Sequence, residues 1–191
     1  MKYAVHIGCA LMTLSPAISL SWMVVSKRPI LIVLSICSAT FWLLSCVLTS
    51  FAWSLLPFDI SLSMILGTLI QEASRASLVY CYHGFKKYIK NSNKKSRVLH
   101  SLVLNDTTSG IAAGVGFGLM HLLVLYGSLF GSSLSKATLF VDSCPQLPLL
   151  FVSGFSAFIF FLLDVLYTVI IFNNNSLKKW IFVIISHLSA T

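Results

Sequence analysis

Apolar residues fill five long stretches of this chain, about Tyr3–Val25, Ile30–Leu56, Asp59–His83, Ser109–Gly131 and Leu147–Phe172, with polar clusters between them. A helix needs about 20 such residues to cross a bilayer, so each stretch predicts a complete transmembrane span. A sixth run begins near Trp180 and stops at Thr191. Twelve residues of helix rise about 18 Å, short of a hydrocarbon core about 30 Å thick. The expectation is therefore a fragment or short isoform carrying a truncated sixth span, 180–191. None of the runs alternates apolar and polar residues as a barrel strand would. The predicted fold is all-α, a single polytopic transmembrane helix bundle over residues 1–191. Pro16 lies inside the first span and predicts a kink there.

Composition sharpens the picture. Hydrophobic residues make up 57% of the 191 and charged residues only 9%, and mean hydropathy is +0.91. A water-soluble domain of this length would carry far more charge. The chain shows no clear internal repeat and no soluble domain.

The net charge of +8 would suggest nucleic acid in a soluble protein, but here it reports topology, and no nucleic-acid partner is expected. Loop one carries Lys27 and Arg28, loop three Lys86, Lys87, Lys90, Lys94, Lys95 and Arg97, and loop five Lys178 and Lys179. The opposite side has Lys2 and Lys136. The positive-inside rule then puts loops one, three and five in the cytosol and the N-terminus outside or in the lumen. Loop three could also meet anionic lipid headgroups, although orientation alone accounts for its charge. A cleaved signal peptide is disfavoured, because only Lys2 precedes a long run that Lys27 and Arg28 follow.

The cysteines, Cys9, Cys37, Cys46, Cys81 and Cys144, have no C-x-x-C or metal spacing, so neither a disulfide framework nor a zinc motif is expected. The sequons at Asn105 and Asn174 fall in loops assigned to the cytosol and should carry no glycan.

Gly110, Gly114 and Gly118 recur every four residues in the fourth span. Four residues are about one helical turn, so the three line one strip. Lipid solvates Leu and Val as well as a partner helix does, so membrane helices associate through close packing and interhelical hydrogen bonds. The strip is expected to dock another helix, as a helix-packing or partner-binding groove.

Five ionisable residues fall inside the spans: Glu72, Arg75, His121, Asp164 and His187. Such residues are costly in lipid and are usually paired or functional. Counted from the cytosolic ends at about 1.5 Å per residue, Arg75, Asp164 and His187 lie roughly 11–12 Å in, and Glu72 and His121 roughly 16–18 Å in. The i,i+3 spacing of Glu72 and Arg75 permits an ion pair. His121 follows Gly110 by eleven residues, which brings it within about 20° of the glycine strip. Asp164 and His187, at matching depth on successive spans, are expected to share a charge-assisted hydrogen bond. A structural network between helices is the first reading, a water-lined cavity or ion path the second, and a hydrolytic site the third. Glu72, His121, Asp164 and His187 could in principle ligate a metal, which leaves a small transporter or metal-dependent membrane hydrolase as the alternative. No H-E-x-x-H, G-x-S-x-G or second membrane Asp supports it. No catalytic residue, metal or cofactor is expected.

Taken in order, these features resemble the anterior-pharynx-defective (Aph) subunit family of γ-secretase. Gly8-Cys9 with Pro16-Ala17 looks like that family's first helix, and Phe41-Trp42-Leu43-Leu44-Ser45 with Trp53 its second. Leu69-Ile70-Gln71-Glu72 followed by Arg75 resembles the third, Ser109-Gly110 with Gly114 and Gly118 the fourth, and Ser186-His187-Leu188 the sixth. One position departs: the family pattern has a His after two leucines in the fifth helix, and here Leu162-Leu163 precede Asp164. The resemblance implies a seven-helix fold and a non-catalytic scaffold that assembles with presenilin, nicastrin and the presenilin enhancer. Presenilin would supply both catalytic aspartates, and the complex would cleave type I membrane proteins such as Notch. It also implies residence in the endoplasmic reticulum, Golgi and plasma membrane.

Overall fold

The computed structural model describes residues 2–55, 59–92, 105–133, 140–141, 144–173 and 176–190. Lys94, Lys95, Arg97, Lys136, Asn174 and Thr191, all weighed above, lie outside them. Among the described residues six α-helices dominate: α1 (Lys2–Leu20), α2 (Pro29–Leu55), α3 (Ile60–Ser92), α4 (Asp106–Ser133), α5 (Leu149–Asn173) and α6 (Leu177–Ala190). Between α4 and α5 runs a short antiparallel hairpin, β1 (Phe140–Val141) with β2 (Cys144–Pro148), which no apolar alternation announces.

The local sequence explains most boundaries. Pro29 opens α2 at a position where a missing N–H costs nothing. Asn105 caps α4, its side-chain oxygen accepting from the Thr107 N–H at 3.0 Å. Asp106 then places a carboxylate at the positive end of that helix. Past the expected span end at His83, α3 continues to Ser92, because the residues that leave the membrane, Lys86, Lys87 and Lys90, are good helix formers. Pro16 is accommodated within α1, and the irregularity observed is a π-turn over Ser21–Val25, with Ser26 N–H donating to the Ser21 carbonyl at 2.9 Å.

Among the described residues, four helical segments are long and apolar enough to cross a membrane: Ile7–Val25, Pro29–Leu55, Asp106–Gly127 and Leu149–Asn173. The third helix has the length, 33 residues, but Glu72, Arg75 and its lysines lower its apolarity. Many hydroxyls in these helices donate back to a carbonyl three or four residues earlier, as Thr13 does to Cys9 at 2.8 Å and Thr168 to Asp164 at 2.7 Å. That satisfies them where no water is available.

Helix α4 is central. It packs on α5 and on α2, while α3 covers α2, α1 covers α5, and α6 lies against α3 and α5. Of the most apolar part of α4, 61% is buried inside the protein, against 17% for α1. The outer helices instead present Trp22, Ile36, Val47 and Leu55 outward. An apolar surface that extensive is incompatible with water and suits a hydrocarbon solvent. This is an integral membrane protein.

Candidate functional site

Two constellations meet on α4. The first is the glycine seam. A Cβ on Gly114 would stand 2.7 Å from the Val165 Cα, one on Gly110 3.0 Å from the Val169 Cα, and one on Gly118 3.0 Å from the Phe161 carbonyl oxygen. The strip therefore holds a helix backbone in direct contact, and that helix is the chain's own α5. The helix in the expected docking groove thus comes from within the chain. Ala112, Ala113, Val115 and Phe117 are fully or almost fully buried around it.

Gly116 is a residue that the four-residue spacing passes over. It lies two positions, about 200°, from Gly114 and so faces the other side of the helix. A Cβ there would overlap the Ser35 carbonyl and the Ser38 hydroxyl of α2. Thus α4 is stripped of side chains on opposite faces, and two helices close on its backbone at once. Gly154 of α5 plays a similar part toward α1, where a Cβ would meet Thr13 Oγ1 at 2.6 Å.

The second constellation is polar. Arg75 of α3, fully buried, sends one guanidinium nitrogen to Glu72 Oε1 at 2.7 Å and the other to Asp164 Oδ1 of α5. His121 of α4 presents Nδ1 to Asp164 Oδ2 at 2.8 Å, and His187 of α6 presents Nδ1 to Glu72 Oε1 at 2.6 Å. Opposite an ionised carboxylate, which only accepts, each of these Nδ1 atoms must carry the proton. The result is one chain, His187–Glu72–Arg75–Asp164–His121, running through four helices. The expected bond between Asp164 and His187 is corrected. His187 meets Glu72 instead, at the same Oε1 that accepts from Arg75, while Arg75 and His121 take one oxygen each of Asp164.

Aromatic rings shield the chain. The Phe117 ring centre is 4.7 Å from the Arg75 guanidinium carbon, and that of Tyr167 5.8 Å, distances at which a ring face attracts a cation. Trp42 and Phe160 flank His121 at 5.5 and 5.3 Å, and Tyr167 flanks His187 at 5.7 Å. Sequence spacing does not reveal these neighbours, since they come from α2, α4 and α5 and meet only in the fold.

The Arg75 guanidinium lies between the two carboxylates, where a metal bridging them would have to sit. Among the described residues no three His, Cys, Asp or Glu side chains converge as a ligand set. Arg75 also gives a physical account of Asp164. An imidazole at that position could not accept from a guanidinium and from His121 together, whereas a carboxylate has an oxygen for each.

A third, smaller contact joins the helix ends. Lys86 Nζ of α3 reaches Asp106 Oδ2 at 2.7 Å, Tyr82 donates to Asp106 Oδ1 at 2.9 Å, and Thr107 donates to Asn173 Oδ1 at 2.8 Å. It clamps α3, α4 and α5 at one end.

The sequence pattern of the Aph-1 protein family matches residues 4–191. The human gamma-secretase subunit APH-1B is 27% identical over 206 aligned positions, which cover 98% of this chain and 77% of the relative. The APH-1B subunit of Pongo abelii is 26% identical over 205, with the same coverage. A gamma-secretase subunit, APH1-like, of Arabidopsis thaliana is 26% identical over 167, covering 84% of this chain and 67% of the relative. With that match running through all six helices, from the seam to the Arg75-centred chain, the protein belongs to the Aph-1 family.

Proposed function

We propose that this chain is a non-catalytic scaffold subunit of a γ-secretase-type intramembrane protease, holding presenilin and nicastrin, with the presenilin enhancer, in an assembly that cleaves type I membrane proteins such as Notch. The observation that carries the reading is the place of Arg75. An aspartyl protease needs two carboxyl groups that share a proton and can reach substrate. Here the two carboxylates are buried, share one guanidinium, and are each further held by an imidazole. Such a chain ties helices together, with the guanidinium set between the two carboxylates that a protease would need to bring together. A transporter or metal-dependent hydrolase built on Glu72, His121, Asp164 and His187 has no comparable support.

In this reading α1 to α5 are five complete spans and α6 is part of a sixth. The cation count favours cytosolic loops one, three and five and a lumenal or extracellular N-terminus. Residence in the endoplasmic reticulum, Golgi and plasma membrane follows from the partners. The test is affinity capture of the tagged chain from native membranes in mild detergent. Presenilin and nicastrin should co-purify in near-stoichiometric amounts. A chain that purifies alone and shows chelator-sensitive turnover would overturn the proposal.

A further inference from the structure

Between the first half of α2 and the last turns of α3 lies an apolar groove of about 270 Å³. Ile30, Cys37 and Phe41 face Leu78, Cys81 and Phe85 across it. Along α2 its lining runs from Ile30 to Phe41, eleven helical steps or about 16 Å, close to half of a hydrocarbon core of about 30 Å. With the α2 N-terminus at the headgroups, that length matches one leaflet. The mouth is cationic. Lys27 and Arg28 immediately precede α2, just before the lining residue Ile30, and both are exposed. Among the described residues neither has a carboxylate partner, whereas Lys86 of α3 is bound to Asp106.

We propose that this groove is a binding site for an anionic glycerophospholipid, with one acyl chain between α2 and α3 and the headgroup at Lys27 and Arg28. The lining argues against a helix as occupant. Close helix docking favours a strip of small residues such as α4 offers α5, whereas here, Cys37 and Cys81 apart, the lining is branched and aromatic. The unpaired cations at its mouth complement a phosphate and a second negative group such as a serine carboxylate. Each cation near such a surface favours the anionic lipid by about fivefold.

The test is reconstitution of the full chain in vesicles of equimolar phosphatidylserine and phosphatidylcholine, followed by detergent extraction and native mass spectrometry of retained lipid. One lipid per chain should remain, with phosphatidylserine favoured by about tenfold or more. Combined Lys27→Gln and Arg28→Gln should bring the two lipids to near parity while keeping one bound. Cys37→Trp, which fills the groove, should abolish retention of both, and Leu48→Trp, exposed on α2 outside the groove, should change nothing. Equal retention of the two lipids by the unmodified chain, or full retention by Cys37→Trp, would overturn the proposal. The comparison on the unmodified chain decides the matter even where Cys37→Trp fails to fold.

Discussion

The α4–α5 seam and the Arg75-centred chain hold the same helices together by opposite means. The seam removes side chains: three glycines let the α5 backbone lie directly against α4, and the attraction is the sum of many small contacts. The polar chain adds charge: five ionisable groups meet where hydrocarbon would solvate none of them. The two should fail differently. A seam tolerates a small error with a graded loss, because neighbours can shift by fractions of an ångström. A buried ion chain fails sharply, since removing one member leaves the next uncompensated.

That contrast orders the expected effects. Arg75→Leu should be the most damaging single change. It strands Glu72 and Asp164 together, and breaking a buried ion pair typically costs about 3–5 kcal/mol. Thermal unfolding in detergent should show a collapse of folded yield. Adding Glu72→Gln and Asp164→Asn to Arg75→Leu should restore part of it. No recovery would mean that the cost is lost packing on Phe117 and not stranded charge.

Gly114→Leu comes next, at about 1–3 kcal/mol for overpacking. Even Gly114→Ala should be measurable, since its Cβ would stand 2.7 Å from Val165 Cα. Gly116→Leu should weaken the contact with α2 and leave the α5 face intact. Disulfide trapping between engineered cysteine pairs on α4–α5 and on α4–α2 would separate the two faces. Gly127→Leu, with nothing within 4 Å of its Cβ position, should lie within about 0.5 kcal/mol of the parent. If Gly114→Leu and Gly127→Leu unfold alike, the seam is not a close contact.

The smallest effect concerns pairing inside the polar chain. Membrane hydrogen bonds couple by about 0.6 and up to about 2 kcal/mol. A double-mutant cycle between Glu72 and His187 should show such coupling, and so should one between His121 and Asp164. A cycle between Asp164 and His187 should be closer to additive, because no direct bond joins them in this structure. Strong coupling there alone would reverse the assignment.

What the sequence made legible follows from how local each signal is. Helix class and most helix ends depend on neighbours within a few residues, so apolar runs and cap residues reveal them. The Glu72–Arg75 pair is equally local. The partner of the glycine strip is not, because the strip advertises a close neighbour without naming it, and only the fold supplies α5. Pairing of Asp164 with His187 is a reasonable inference from matched depth. It misses that Arg75, from a third helix, takes one oxygen of Asp164 while His121 takes the other, and depth carries no information about azimuth. Gly116 was within reach of the sequence: a second face about 200° from Gly114 is arithmetic, but a four-residue repeat draws attention to one face only. The hairpin between α4 and α5 carries no apolar alternation, so nothing in its pattern marks it.

The most direct test of the scaffold account separates assembly from chemistry at Arg75. Arg75→Leu chains would be expressed in cells lacking the endogenous subunit. The yield of complex would be measured by capture through nicastrin, and proteolytic turnover would be measured per captured complex on a type I membrane substrate. The account predicts a yield several-fold below the parent, with turnover per assembled complex unchanged. Full assembly with proteolysis abolished would contradict it, because the Arg75-centred chain would then belong to the reaction and not to the framework that supports it.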